Sequence, residues 1–298
     1  MGRGCRNSGS IYRGLIKLIN GSTKVIGVIG DPVEHTASPT MHNAAIQDLG
    51  IDYVYVAFRV RGDELSKAIE GMRALGMVGM NVTVPHKKSV MQYLDVISPE
   101  AKAIGAVNTI VNKNGKLIGH NTDAYGFDKS IYLEGRLAKL PSAVVLLGAG
   151  GAARSILYAL LQRPEVERIH IINRTVKKSE ALANEMDKKG RVYLGPLSEG
   201  EWDSVELLIN STSVGLFPDV ASSPLRNDSI IRPDMLVVDI IYKPLKTQLM
   251  IKAEEYGATA INGLGMLVWQ GARAFELWTG NQPSVEIMTS AILRNLEQ

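Results

Sequence analysis

The sequence predicts an α/β fold of two domains built on mostly parallel sheets. Three observations carry that expectation. Strand-like and helix-like stretches alternate from residue 25 onward, and a glycine-rich turn follows a fully apolar strand at residue 148. The third is length, since 298 residues are enough for two separate cores. Hydrophobic residues make up 45% and charged residues 21%, which suits a packed chain and excludes a disordered one.

In order along the first half, Lys24–Gly30 reads as a buried strand ending at glycine. Pro39–Leu49 follows as a helix, with Met41, Ala44, Ala45 and Leu49 at helical spacing. Tyr53–Arg59 is expected as a strand, Gly62–Leu75 as a helix, Met77–Val84 as a strand and His86–Leu94 as a helix. The second half repeats the logic. Ala143–Leu147 is a short apolar strand, Gly151–Leu161 a helix, Arg168–Ile172 a strand and Lys178–Lys188 a helix. Val205–Asn210 and Met235–Ile240 are further strands, and Leu264–Thr279 and Ser284–Gln298 close the chain as helices. There is no fixed-period repeat and no low-complexity linker.

Composition also excludes several classes. The densest apolar stretch, Ala143–Ala153, is too short to span a bilayer, so no membrane partner is expected. The one cysteine, Cys5, cannot form an intrachain disulfide. No Cys/His cluster has zinc spacing, and His35, His42, His86 and His120 are poorly spaced for a metal. A cytoplasmic protein without a structural metal is the expectation. The net charge of +3 belongs to one end: residues 1–24 carry five basic residues and no acid, leaving 28 basic against 30 acidic residues elsewhere. No basic stripe runs through the body, so no nucleic-acid partner is expected. Residues 1–23 read as an N-terminal extension or short extra helix, a plainer account than a transit peptide.

The most specific local pattern is Gly148-Ala149-Gly150-Gly151-Ala152-Ala153, which fits G-x-G-x-x-A directly after a strand and at the start of a helix. Gly148 permits a tight turn, Gly150 lets the backbone approach a pyrophosphate, and Ala153 lets helix and strand pack closely. The helix N-terminus supplies N–H donors and the positive end of a dipole. About 20 residues on, NAD sites usually carry an acid for the ribose hydroxyls. Here that point reads Asn173-Arg174-Thr175, with Lys178 following, and holds no acid. Arg174 can clasp a 2′-phosphate, with Thr175 and Lys178 as further donors, so NADP is favoured over NAD.

Four polar segments fall where strands end, the place at which open α/β sheets bind ligands. In His35-Thr36-Ala37-Ser38-Pro39, an extended backbone points the Thr36 and Ser38 hydroxyls one way, although Ser38 also reads as a helix cap before Pro39. In Asn81-Val82-Thr83-Val84-Pro85-His86-Lys87, Asn81 and Thr83 share a face opposite Val82 and Val84. Lys87 is expected in the first turn of a helix, where a cation opposes the dipole and gives up a proton more readily. The third segment is Gly105–Thr109 and the fourth Gly119–Gly126, whose Asp123 can pair with Lys87. Taken singly, such a pair is more usually a surface ion pair.

Together these segments resemble the shikimate dehydrogenase family. The chain reads HTASP, NVTVPHK, GAVNT, GHNTDAYG, GAGGAAR, NRT, NSTSVG at Asn210–Gly215, DIIYKPLKT at Asp239–Thr247 and GLGMLVWQ at Gly263–Gln270, in the family's order. The match runs from about Val25 to Leu293. The resemblance implies reversible NADP-dependent reduction of 3-dehydroshikimate to shikimate, on the route to chorismate and the aromatic amino acids. It implies a substrate domain of residues 24–123 plus 262–298, a Rossmann-type NADP domain of residues 124–261, and C-terminal helices that return to the first domain. It also implies roles. Lys87 and Asp123 match the catalytic pair. Ser38, Thr83, Asn108, Asp123, Tyr242 and Gln270 match substrate ligands, beside which Thr36 and Asn81 are candidates. Gly148, Ala149, Gly150, Gly151 and Ala152 match the pyrophosphate cradle, and Asn173, Arg174, Thr175 and Lys178 the adenosine phosphate end. Ile240, Gly263 and Met266 match positions near the nicotinamide. Thr36 departs from the pattern, where serine is more usual, and adds a methyl beside the substrate. A quinate dehydrogenase with broader substrate or NAD use shares nearly all these motifs. A non-catalytic NADP sensor is a different class that would not need Lys87 and Asp123 together. Either a monomer or a homodimer is compatible with the resemblance.

Overall fold

The computed structural model describes residues 19–135 and 137–296. The reading of the extension before residue 19 and of the last two residues of the final helix lies outside the described residues. In chain order the first half runs β1 (Lys24–Gly30), α1 (Ser38–Leu49), β2 (Tyr53–Arg59), α2 (Leu65–Ala74), β3 (Gly79–Val82), β4 (Val96–Ile97), α3 (Pro99–Ile104), β5 (Thr109–Lys113) and β6 (Lys116–His120). Its sheet has the order β2-β1-β3-β5-β6-β4. β1, β2 and β3 are parallel because α1 and α2 carry the chain back between them. β5 runs antiparallel to both β3 and β6. A tight turn at Asn114-Gly115, both at positive φ, reverses the chain between β5 and β6.

α4 (Asp123–Leu133) leads into the second half, which runs β7 (Ala143–Leu147), α5 (Gly151–Leu161), β8 (Arg168–Ile172), α6 (Val176–Met186), β9 (Val192–Leu194), α7 (Glu199–Trp202), β10 (Leu207–Asn210), β11 (Leu236–Asp239), α8 (Gln248–Glu255) and β12 (Thr259–Ile261). The strand order β12-β11-β10-β7-β8-β9 is parallel throughout and doubly wound. Its topological switch point lies between β7 and β10. The strands are short and apolar on both faces, as burial under helices on two sides requires.

The last two helices, α9 (Leu264–Thr279) and α10 (Val285–Leu296), return to the first sheet. Phe275, Trp278, Met288 and Ile292 share a core with Ile26, Met41 and Tyr55. The Trp278 indole donates to the Ile110 carbonyl at 2.9 Å. A Cβ on Gly79 would overlap that indole nitrogen, so β3 needs glycine there. α4 joins the halves: Ala124, Phe127 and Ile131 pack into the core of the second sheet. A Cβ on Gly126 would meet the Met266 carbonyl of α9 at 2.6 Å, so α4 and α9 touch backbone to backbone.

One expected element is replaced. Residues 86–94 do not form an α-helix; Lys87 sits in a turn, followed by a 3₁₀ segment at Ser89–Tyr93. The Lys87 carbonyl, which an α-helix would offer to its own chain, instead accepts the Val107 N–H at 2.8 Å. The helix-dipole argument for Lys87 therefore has no basis in the fold. β3 also stops at Val82, and Val84, expected opposite Asn81 and Thr83 inside a strand, is 65% exposed.

Candidate active site

The two sheets direct their strand ends into one cleft of about 460 Å³. From the first half it collects Thr36, Ser38, Asn81, Thr83, Lys87, Asn108 and Asp123, and from α9 Met266 and Gln270. From the second half come Gly150, Gly151, Ala152, Ile240, Tyr242 and Gly263.

At the centre, Lys87 Nζ stands 2.6 Å from Asp123 Oδ2. The two side chains are 18% and 8% exposed, so this is a shielded pair and not the surface ion pair that the sequence also allowed. Asp123 is the first residue of α4, where a carboxylate gains from the helix dipole. Its second oxygen accepts from Asn108 Nδ2 at 2.8 Å. Asn108 is in turn fixed, because its Oδ1 accepts the Thr122 N–H at 2.8 Å and the Thr109 hydroxyl at 3.0 Å. The Asn108 amide also reaches Gln270 Oε1 at 3.3 Å, bringing α9 into the network. Asn81 continues it, donating to Thr109 Oγ1 at 3.1 Å and accepting from the Tyr55 hydroxyl at 2.7 Å. Burial drives the Tyr55 phenol far up from its ordinary pKa, so it acts there as a hydrogen-bond donor.

Thr36 and Ser38 bond to each other, hydroxyl to hydroxyl, at 3.1 Å. Ser38 is the first residue of α1, Ala37 being its cap, and no side chain caps this helix. Ala37 has φ −83° and ψ −5°, so the backbone between Thr36 and Ser38 is helical and not extended as expected, and the capping account of Ser38 is replaced by a hydroxyl facing the cleft.

The opposite wall is the β7–α5 turn. Gly148 has φ +106°, and a Cβ there would lie 2.7 Å from Ser211 Oγ, so the turn closes only on glycine. Gly150 caps α5 with extended backbone, and a Cβ there would project into open space. α5 has no side-chain cap and no acid in its first turn, leaving its first N–H groups for an anion. These features fit a pyrophosphate. A Cβ on Gly151 would stand 3.6 Å from Lys87 Cδ, so the phosphate-directed turn and the lysine are neighbours.

Asn173, Arg174, Thr175 and Lys178 do not line the cleft; they lie just past the end of β8, where Gly148 N–H donates to the Ile172 carbonyl at 2.9 Å. Asn173 donates to the Thr175 carbonyl at 2.8 Å, holding this loop. Arg174 is exposed and makes no ion pair among the described residues. No group of three metal-ligating side chains occurs among the described residues. No helix among them is long and apolar enough to cross a membrane.

Sequence reasoning left Ser211, Thr212, Ser213 and Leu216 without a role, and all four line the cleft. They follow β10 at the switch point, and the Ser211 hydroxyl donates to the Leu147 carbonyl at 2.6 Å. The NSTSVG segment was the available signal. Asp239, buried at the end of β11, accepts from Asn210 at 3.0 Å, Ile241 N–H at 3.1 Å and Thr247 at 2.7 Å. Burial raises its carboxyl above the ordinary range against these bonds, and the cluster sets the Ile240–Tyr242 backbone. A Cβ on Gly263 would overlap the Ile240 carbonyl, so that corner of the cleft also demands glycine.

A doubly wound sheet with a phosphate-directed helix start, facing a shielded lysine–carboxylate pair across one cleft, defines a dinucleotide-dependent oxidoreductase. Comparison with known proteins narrows the class. Residues 28–110 match the shikimate dehydrogenase substrate binding domain, residues 135–240 the shikimate / quinate 5-dehydrogenase family, and residues 263–293 the shikimate 5'-dehydrogenase C-terminal domain. Shikimate dehydrogenase (NADP(+)) of Methanocaldococcus jannaschii is 46% identical over 282 residues, covering 93% of this chain and 98% of that protein. A shikimate dehydrogenase crystallised with NADP+ superposes with a TM-score of 0.88 at 44% identity, covering 94% of this chain and 98% of that one. The Thermus thermophilus enzyme, solved with NADP(H) and shikimate, gives 0.83 at 38% identity, covering 91% and 99%. The chain belongs to the shikimate dehydrogenase family.

Proposed function

We propose that this chain catalyses the reversible reduction of 3-dehydroshikimate to shikimate with NADPH, in chorismate and aromatic amino-acid biosynthesis. The observation that carries the reading is the Lys87–Asp123 pair at 2.6 Å, shielded from solvent and set against the glycine turn. Residues 24–123 with 262–298 bind the substrate and residues 124–261 bind NADP.

The cofactor, when bound, supplies the hydride. Gly148–Ala152 hold its pyrophosphate through backbone N–H groups, and Arg174, Thr175 and Lys178 hold the 2′-phosphate. Ile240, Gly263 and Met266 form the nonpolar corner of the cleft that would receive the nicotinamide end. Lys87 holds a proton at the substrate carbonyl oxygen and delivers it as the alcohol forms. Asp123 keeps the Lys87 ammonium in place, and Asn108 keeps Asp123 in place. Thr36, Ser38, Asn81, Thr83, Tyr242 and Gln270 supply the hydroxyl, amide and phenol groups that a polyhydroxylated ring acid needs for orientation. The absence of an acid after β8 supports NADP over NAD, since a carboxylate there would repel the phosphate.

The test is NADP+ and NAD+ reduction with shikimate and with quinate, on the wild type and on Lys87→Ala. Shikimate with NADP+ should be the efficient pair. Lys87→Ala should lower turnover by roughly 10²–10⁴ while retaining shikimate affinity. Preference for quinate would move the chain to the quinate dehydrogenase reading, and preference for NAD+ would show that Arg174 does not select the cofactor. NADP+ binding with no turnover of either substrate would favour a sensor.

A further inference from the structure

Two consecutive residues of α5 reach out of the dinucleotide half into the loops that carry the polar groups of the substrate half. Arg154 Nε donates to the Ile104 carbonyl at 2.7 Å, at the end of α3 and immediately before the Gly105–Thr109 segment. Ser155, fully buried, donates from its hydroxyl to Asn121 Oδ1 at 3.2 Å. That same oxygen accepts the backbone N–H of Asp123 at 3.0 Å, and Asn121 Nδ2 donates to the Ala106 carbonyl at 3.0 Å. Asn121 is therefore a buried junction, with one arm on α5, one on Asp123 and one on the loop that ends in Asn108.

A hydroxyl on the buried face of α5, where the other buried residues are Ala153, Ile156, Leu157, Ala159 and Leu160, needs a reason. Burying it has a desolvation cost that alanine would avoid, and alanine is the better helix former. What the hydroxyl gains is the bond to Asn121, which crosses between the two halves. Ser155 stands four residues beyond Gly151, so it lies one helical turn from the N–H groups that face the pyrophosphate. A helix turn is rigid over that distance. Whatever fixes the start of α5 fixes Ser155, and through Asn121 it fixes the backbone of Asp123.

Resting on the functional reading above, we propose that Ser155 and Asn121 are positioning residues that couple dinucleotide binding to substrate binding. Occupation of the α5 N-terminus holds Ser155, Asn121 and the Asp123 backbone in the arrangement that receives the substrate. Coupling between sites is reciprocal, so substrate bound at Asp123 favours the dinucleotide by the same factor. Arg154 acts alongside, tying the other loop to the same helix.

The experiment is calorimetric titration of the full-length wild type and Ser155→Ala with shikimate, with NADPH, and with each in the presence of saturating amounts of the other; shikimate and NADPH are both in the reduced state, so they bind together without reacting. Wild type should bind shikimate about 5- to 150-fold more tightly when NADPH is present, the usual span of coupling between sites. Ser155→Ala should keep the melting temperature and both single-ligand dissociation constants within about twofold. The coupling factor should fall by about threefold or more, which is the net worth of one hydrogen bond. In turnover at saturating NADP+, KM for shikimate should rise by about the same factor while kcat changes less. A merely structural serine would lower the melting temperature or both affinities and leave the coupling factor unchanged, which overturns the proposal. Wild type binding both ligands independently would also overturn it while leaving the functional reading intact. Failure of wild type to bind shikimate at all would instead remove the functional reading, and the coupling with it.

Discussion

Asp123→Asn tests the site more sharply than removal of the lysine, because it changes charge and donor character with almost no change in shape. In the wild type one carboxylate oxygen faces Lys87 Nζ at 2.6 Å and the other faces Asn108 Nδ2 at 2.8 Å. Both neighbours are donors, and a carboxylate satisfies both. An amide has one oxygen. Turned toward Lys87, it points its NH₂ at the Asn108 NH₂; turned toward Asn108, it points its NH₂ at the ammonium. One buried donor is left unmet in either orientation, at a cost of about 1–3 kcal/mol of stability. The ammonium also loses its counter-charge, and with it the fixed position from which it serves the carbonyl oxygen. A kcat loss of roughly 10²–10⁴ is expected, equivalent to about 3–5 kcal/mol of barrier. Shikimate-dependent NADP+ reduction over a full substrate titration gives kcat, and a thermal melt monitors the fold. A folded Asp123→Asn protein with kcat within about threefold of wild type would refute the reasoning, because Lys87 would then be held in place by something else.

Three further outcomes follow from the same geometry. Gly150→Ala should leave the melting temperature unchanged, since its Cβ enters open space, yet weaken NADP+ binding about tenfold or more by occupying the cradle; a thermal melt measures the first and a fluorescence or calorimetric titration the second. Arg174→Ala should raise KM for NADP+ about tenfold or more and leave KM for NAD+ unchanged, because only the former carries the phosphate that a free guanidinium binds. His42 is fully buried, stacked on Tyr55 at 4.3 Å between ring centroids, and burial lowers its pKa to about 3. The unfolded chain takes up that proton near the ordinary histidine value of 6.5, so stability is fully present above pH 6.5 and declines as pH falls toward 3. His42→Phe should flatten denaturant-derived stability between about pH 6.5 and 4.5 by up to about 1.4 kcal/mol per pH unit, and an unchanged slope would count against it.

Much of the fold is legible where one segment decides its own structure. β1, β2, β7, β8 and α9 have the bounds that period and composition predict, because each is a strongly patterned stretch closed by glycine or a turn. The stretch between β3 and α4 is not legible that way. β4, α3 and β6 are short, and their pairing depends on contacts far along the chain. The Asn114-Gly115 turn that makes β5 and β6 a hairpin was nevertheless a readable signal. The missing helix after Lys87 shows the opposite case, in which a propensity present in the sequence loses to a tertiary bond from Val107.

The site divides along the same physical line. Groups that face a ligand are constrained in type and spacing by the ligand's chemistry, so Lys87, Asp123, Asn108 and the glycine turn announce themselves in short runs. Groups that hold those residues in place take their reason from topology. Asn121 stands in the GHNTDAYG run, but its role depends on α5 passing behind it, and Ser155 matters because one turn of α5 separates it from the glycines; neither role can be read from the local sequence. The histidines make the point in reverse. His42 and His86 are residue types that suggest chemistry, yet one is stacked in the core and the other spends its Nε2 on the Val60 carbonyl at 2.6 Å. Residue type alone thus neither finds the positioning groups nor excludes the core ones. The network around Asp123 can be assigned only when both halves of the molecule are in view, because its supports come from α5, α9 and the Gly105–Thr109 loop at once.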